Sequence, residues 1–106
     1  MQYELAIVGG GPAACGAAVY AGRKQLKTVM IAEEIGGQSA VSETIYNWIG
    51  HTSISGHNLA ESLRKHVMAN AIGTENLKEA EDMGSTLFVK DSEKVTNISK
   101  KDDLFE

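Results

Sequence analysis

A glycine-rich turn near the start of the chain has the residue types and spacing to bind a diphosphate. Residues 9–14 read Gly-Gly-Gly-Pro-Ala-Ala, the G-x-G-x-x-A form of the dinucleotide-binding fingerprint. Gly9 permits a tight turn out of a strand, and Gly11 has no Cβ, so the backbone there can approach a pyrophosphate. Ala14 is small enough for the following helix to pack closely on that strand. Unpaired N–H groups at the helix start would then face the phosphates.

An acidic pair follows the next predicted strand and offers a second chemical group. A carboxylate there would accept hydrogen bonds from the hydroxyls of a ribose. The acid is Glu33 or Glu34, and the spacing leaves both open. A glycine string alone is weak evidence, because such a turn also occurs without a ligand. This one follows a strand, opens a helix and has an acid at the next strand end, and together these features predict a bound dinucleotide.

A strand–turn–helix–strand unit is predicted to position these groups. Residues 3–8 read as a strand, and residues 5–8 are apolar on both of its faces, which is typical of a buried parallel strand. Residues 12–24 read as a helix rich in small residues, with proline in the first turn, and residues 27–32 read as a second strand. We therefore predict an α/β fold of the Rossmann type, with a right-handed βαβ unit at its start and a parallel sheet.

Later elements are predicted with fewer signals. Residues 33–55 have no clear period, although embedded aromatic and aliphatic residues argue for order. An amphipathic helix is expected to open at Ser55 and run to about residue 71. A second helical stretch is expected at 75–83. Strands are expected at three further places, at 86–89, at 94–98 and from 104. With no boundary visible, residues 1–106 are treated as one domain.

Charge and patterning argue against two kinds of partner. The net charge is −4, and the basic pair Lys100–Lys101 is followed at once by two aspartates, so nucleic-acid binding is not expected. The uncharged run at 5–22 has the length of a membrane span, but Gly-Gly-Gly-Pro at 9–12 would break such a helix. A signal peptide would carry basic residues at its start, so no membrane partner is expected either.

Cysteine and histidine usage excludes other sites. Cys15 is the only cysteine, so neither an intrachain disulfide nor a cysteine-based metal site can form, and a reducing, cytoplasmic location fits. We interpret it as a small buried residue of the helix rather than a redox thiol. The three histidines, His51, His57 and His66, are not at metal-ligand spacing, so no metal site is expected.

The residues around the glycine turn resemble one family of flavoproteins. Residues 6–14 are similar to the start of flavoprotein disulfide reductases, and Gly-Gly-Gln at 36–38 resembles the low-molecular-weight thioredoxin reductases and the flavoprotein component of alkyl hydroperoxide reductase. Tyr-Asn-Trp-Ile-Gly at 46–50 resembles a further segment of that family, although Tyr46 and Ile49 depart from its usual Glu and Pro. The resemblance is good over residues 3–67 and poor over 68–92.

This resemblance implies an FAD site. The glycine turn would hold the pyrophosphate, and Glu33 would hold the adenosine ribose. The ribityl chain and isoalloxazine ring would be contacted by Gly37, Gln38 and Asn47. The backbone of Val95 would face the adenine. No catalytic residue is expected within the chain. The full set of expected cofactor-binding residues is Gly9, Gly11, Pro12, Ala13, Ala14, Ala32, Glu33, Gly36, Gly37, Gln38, Asn47 and Val95.

The resemblance also implies an activity for an intact enzyme. There, electrons would pass from NAD(P)H through FAD to a disulfide, with a thioredoxin-like disulfide protein as partner, and a homodimer is allowed. The Cys-x-x-Cys and the nicotinamide-binding domain of the family are absent from residues 1–106, which resemble roughly the first third of such an enzyme. We therefore expect no turnover by this chain alone. The alternatives are a non-catalytic nucleotide-binding module, an NAD-dependent Rossmann protein and an incompletely folded piece.

Overall fold

A parallel sheet lies at the centre of the computed structural model, which describes residues 2–36, 43–73, 86–90, 92–101 and 104–105. Its strands run in the spatial order β1-β2-β6-β5, and each neighbouring pair is parallel. The four strands are β1 (Leu5–Val8), β2 (Thr28–Ile31), β5 (Ile72–Gly73) and β6 (Leu87–Lys90). The predicted Rossmann-like α/β fold, with its initial βαβ unit, is confirmed.

Two helices were predicted within about two residues of their observed ends. Helix α1 (Pro12–Arg23) connects β1 to β2, with proline in its first turn and Arg23 in its last, where a cation suits the helix dipole. Helix α2 (Gly56–Ala69) begins after Ser55, whose hydroxyl accepts a hydrogen bond from Asn58 N at 3.0 Å. That capping bond satisfies one of the N–H groups that a helix start leaves without a partner.

Two short antiparallel pairs lie outside the parallel sheet. Strands β3 (Thr44–Ile45) and β4 (Ile54–Ser55) pair within the stretch for which no period was seen. Strands β7 (Lys100–Lys101) and β8 (Leu104–Phe105) form a second pair.

The strand predicted at 94–98 is wrong, because those residues have no regular structure. Val95 is half-buried and its neighbours are exposed, so the β-branched residues of this stretch have no covered face against which a strand could form. The helical stretch predicted at 75–83 lies outside the described residues.

The core lies between the sheet and both helices. The strand register places Ile7, Met30 and Val89 in one row, and these side chains pack with Ala18 of α1 and Val67 of α2. Small residues allow α1 to approach the sheet closely: Ala18 has no exposed surface.

The opposite face of β1 is exposed, which corrects the expectation of a first strand buried on both sides. Ala6 and Val8 point away from the row of Ile7, toward the face that neither described helix covers, and Val8 is 52% exposed. By contrast, Thr28, Val29 and Met30 of the neighbouring strand are all buried. None of the described helices has the length and apolar character needed to cross a membrane.

Candidate dinucleotide site

The glycine turn and residues 32–36, called the acidic segment below, leave the sheet side by side. β1 and β2 are parallel and end together, with Val8 opposite Ile31. Gly9 N donates a hydrogen bond to Ile31 O at 2.9 Å, so the pairing extends one residue into the turn. The carboxyl ends of adjacent parallel strands are where open α/β sheets bind ligands. The candidate site therefore lies at this sheet edge.

The turn itself leaves the start of α1 open. Gly9 has φ +121°, a conformation that side chains disfavour, which suits the sharp exit from β1. Gly11 is the N-cap residue, and a Cβ built on it would meet no atom within 4 Å. The N–H groups of Ala13 and Ala14 have no acceptor within the helix, and no described side chain caps them. This opening fits an anionic group, and the first turn of α1 contains no acid that would repel one.

The acidic segment begins at a residue held firmly by the backbone. Ala32 is buried; its N–H donates to Lys90 O and its carbonyl accepts from Glu93 N, both at 3.0 Å. Glu33 and Glu34 follow and are exposed. The structure therefore presents two carboxylates to solvent immediately after an anchored strand end, and it does not separate their roles.

A hydrogen bond brings the end of this segment back onto the turn. Gly36 N donates to Gly10 O at 2.6 Å, and Gly36 has φ +109°. A Cβ built at Gly36 would stand 2.5 Å from Cβ of Ala60, a distance that real side chains do not reach. The end of this segment, at Gly36, thus lies between the glycine turn and α2.

Cys15 lies beneath this contact as a buried thiol. It is 2% exposed, as expected for a small packed residue, and its Sγ lies 3.5 Å from Gly10 O, to which it donates a hydrogen bond. Burial raises the pKa of Cys15, and a backbone hydrogen bond from Gly36 opposes that shift in part. The thiol is therefore protonated at neutral pH and has little thiolate character.

The structure brings together only part of the predicted set. At the sheet edge, Gly9 N bonds to Ile31 O just before Ala32, and Gly36 N bonds to Gly10 O, so two hydrogen bonds join the glycine turn to the acidic segment. Ala14 lies in the first turn of α1, beside Gly9. Pro12 and Ala13 occupy the first turn of α1.

No hydrogen bond joins the other described members of the set to this edge. Asn47 is exposed between β3 and β4, and Val95 is half-buried in the irregular segment before β7, so their roles toward a cofactor stay predictions. Gly37 and Gln38 lie outside the described residues. Within the part of the chain that the structure describes, no cluster of His, Cys, Asp or Glu could hold a metal ion.

Two residues of this region were not singled out from the sequence. Gly10 occupies the variable position of the fingerprint, and Ala60 lies within α2, far along the chain. The available signal for Gly10 was a glycine at a position where the fingerprint allows any residue. No local signal marks Ala60, because its role depends on how α2 packs.

Comparison with known proteins identifies the family. Residues 3–105 match the family described as pyridine nucleotide-disulphide oxidoreductase. The chain is 40% identical over 78 residues to an NADH dehydrogenase of Bacillus subtilis (strain 168), and 38% identical over 81 residues to an alkyl hydroperoxide reductase component of Xanthomonas campestris pv. phaseoli. These matches cover 74% and 76% of this chain and 15% of each relative.

Solved structures agree on the fold. The Lactococcus lactis thioredoxin reductase superposes with a TM-score of 0.78 at 24% identity, over 98% of this chain and 29% of that one. The T. acidophilum thioredoxin reductase gives 0.75 at 25% identity, over 97% and 29%. The chain thus spans about 15% of the length of the curated relatives it matches. It belongs to the pyridine nucleotide-disulphide oxidoreductase family and corresponds to the N-terminal FAD-binding region of that family.

Proposed function

We propose that this chain binds FAD at the edge formed by β1 and β2, as part of a flavoprotein that transfers electrons from NAD(P)H to a disulfide. One observation carries the proposal: an uncapped helix start and two exposed carboxylates leave the same sheet edge together. A dinucleotide needs both, because its diphosphate is anionic and its ribose hydroxyls are hydrogen-bond donors.

Each residue has a physical task in this proposal. The N–H groups of Ala13 and Ala14 donate to the diphosphate, and the bare Cα of Gly11 lets the phosphates come close. Glu33 accepts hydrogen bonds from the adenosine ribose. When bound, FAD supplies the redox chemistry, and the protein contributes binding and orientation.

Further contacts are proposed on the family resemblance alone. Gly37, Gln38 and Asn47 lie along the ribityl chain and isoalloxazine ring, and the backbone of Val95 faces the adenine. Of these residues the structure describes Asn47 and Val95, and neither of those two forms a hydrogen bond with the glycine turn.

The electron donor and acceptor belong to the complete protein. The alkyl hydroperoxide reductase relatives, together with the thioredoxin reductase structures, support a nicotinamide donor and a thioredoxin-like disulfide protein as acceptor. A homodimer and a cytoplasmic location are part of the same proposal, the latter consistent with the free thiol of Cys15. With a single cysteine, residues 1–106 cannot form an intrachain redox disulfide, so we expect no turnover with NADPH and thioredoxin.

Titration of the purified chain with FAD tests the binding step. We expect about one FAD retained per chain after gel filtration, seen as flavin absorbance, with no displacement by excess NAD. Gly11→Ala should weaken binding at least about tenfold, since it puts a methyl group where the phosphates must approach. The matched control is Gly16→Ala, another open glycine position but within α1 and away from the turn, which should leave FAD binding unchanged. A chain that retains no flavin, or that prefers NAD, would refute the proposal.

A further inference from the structure

The middle glycine of the turn meets a packing constraint that the fingerprint does not demand. The fingerprint allows any residue at the position of Gly10. Here, a Cβ built on Gly10 would overlap the carbonyl oxygen of Glu34, and it would stand 2.9 Å from the carbonyl carbon of that residue. Both are backbone atoms, which cannot rotate away as a side chain can. A larger residue at position 10 would therefore push the acidic segment away from the turn.

The carbonyl group of Gly10 holds the same segment from the other side. It accepts the 2.6 Å hydrogen bond from Gly36 N and the 3.5 Å bond from the thiol of Cys15. Ala60 of α2 is packed against the outer side of Gly36. Gly10 therefore affects the acidic segment in two ways: its lack of a side chain leaves room for the backbone of Glu34, and its carbonyl group bonds to Gly36.

We propose that Gly10 is a positioning residue, which sets the place of the Glu33 carboxylate relative to the start of α1. This inference rests on the dinucleotide site proposed above. The diphosphate and the ribose hydroxyls of one ligand are a fixed few bonds apart. The helix start and the carboxylate can therefore bind the same molecule only at one mutual spacing. In this chain Gly10 determines that spacing before any ligand arrives, with Ala60 supporting it from α2.

A pair of nucleotides that differ only in the ribose measures this role. ADP carries the diphosphate and ribose of the adenosine half of FAD, and 2′,3′-dideoxy-ADP lacks both ribose hydroxyls. We expect the wild-type chain to bind ADP at least about tenfold more tightly than the dideoxy compound, as hydrogen bonds to a charged carboxylate imply. Glu33→Ala should bring the ratio of the two dissociation constants close to one. Gly10→Ala should do the same while the carboxylate is still present.

Gly11→Ala is the matched control in the same turn. A methyl group there meets open space, so the acidic segment stays in place, while the approach of the phosphates is hindered for both nucleotides. Both dissociation constants should rise by the same factor, and the ratio should remain about tenfold. Partial unfolding has the same signature, because it reduces the apparent affinity for both ligands equally. If Gly10→Ala behaves in this way, Gly10 is only a structural residue and the inference is wrong.

A variant on α2 tests the same role without altering the turn. Ala60→Val adds bulk against Gly36. If Gly10→Ala does not fold, as judged by the lack of a cooperative thermal melt, Ala60→Val serves as the test in its place. Ala69→Val is its control, since it is the same substitution at an exposed position near the other end of the same helix. The ratio should fall for Ala60→Val and persist for Ala69→Val. A ratio that persists in both overturns the positioning role alone. A wild-type chain that binds neither nucleotide refutes the dinucleotide site itself.

Discussion

The sheet core, formed by β1, β2 and β6 with α1, differs from the ribbon formed by β7 and β8 in what holds each one in place. In the core, Met30 and Leu87 have no exposed surface, and the strands are in continuous register beneath α1. In the ribbon, Leu104 and Phe105 are 52% and 73% exposed, and each strand has two residues. Both regions contain strands and apolar residues. The two regions therefore differ in burial beneath a helix rather than in strand composition, and we expect this burial to determine how much each contributes to stability.

The difference between the sheet core and the ribbon is tested most directly by removing the same side chain from each region. Leu87→Ala empties a site in β6 that has no exposed surface and belongs to the core packed by both helices. We expect a loss of about 2–5 kcal/mol in the free energy of unfolding. Leu104→Ala in β8 should change it by no more than about 0.5 kcal/mol. Urea denaturation followed by circular dichroism measures both, and equal losses would contradict the distinction.

A second pair of substitutions separates backbone strain from packing. Gly36 and Gly50 both have positive φ, at +109° and +101°, but only Gly36 faces a neighbour, at Ala60. Alanine at either position should cost about 1–3 kcal/mol from the backbone conformation alone. Gly36→Ala should cost at least about 1 kcal/mol more, because the added methyl group overlaps α2. Thermal melts of the two variants provide the measurement, and a smaller loss for Gly36→Ala would show that α2 yields at this point.

The smallest expected effect concerns the buried thiol of the core and its pH dependence. Burial raises the pKa of Cys15 in the folded chain, so the folded state favours the protonated thiol. This contribution to stability is fully present below the unfolded thiol pKa of about 8.5, and it is lost as the pH rises toward the folded pKa. The melting temperature of the wild type should therefore fall more steeply between about pH 8 and pH 10 than that of Cys15→Ala. Parallel slopes would show that the thiol ionises equally in both states.

The elements of the initial βαβ unit could be read from the sequence because each depends on neighbours along the chain. A proline after three glycines, a run of small residues and two apolar segments determine the turn, the helix and the flanking strands. The strand predicted at 94–98 failed for the converse reason. Its Val95, Thr96 and Ile98 are β-branched, which favours a strand, but Ile98 is 59% exposed. A strand also needs a partner and a covered face, which sequence pattern cannot supply.

The residues of the candidate site can likewise be separated into those predictable from local sequence and those that depend on tertiary packing. Gly9 and Gly11 were identified because conformation and the lack of a side chain are properties of the residue itself. The importance of Gly10, Gly36 and Ala60 to one another was not visible, because they come from separate segments that meet only after the chain folds.

The sequence alone predicted a Rossmann-like fold and a resemblance to a flavoprotein family. It also predicted a glycine turn that opens a helix and an acid after the second strand. Those features depend on residue type and short spacing, which act before any tertiary contact forms. Only the tertiary structure decided which face of β1 is covered and where the acidic segment lies relative to the turn. Both depend on packing between segments far apart in the chain, which is governed by shape and register rather than by local preference.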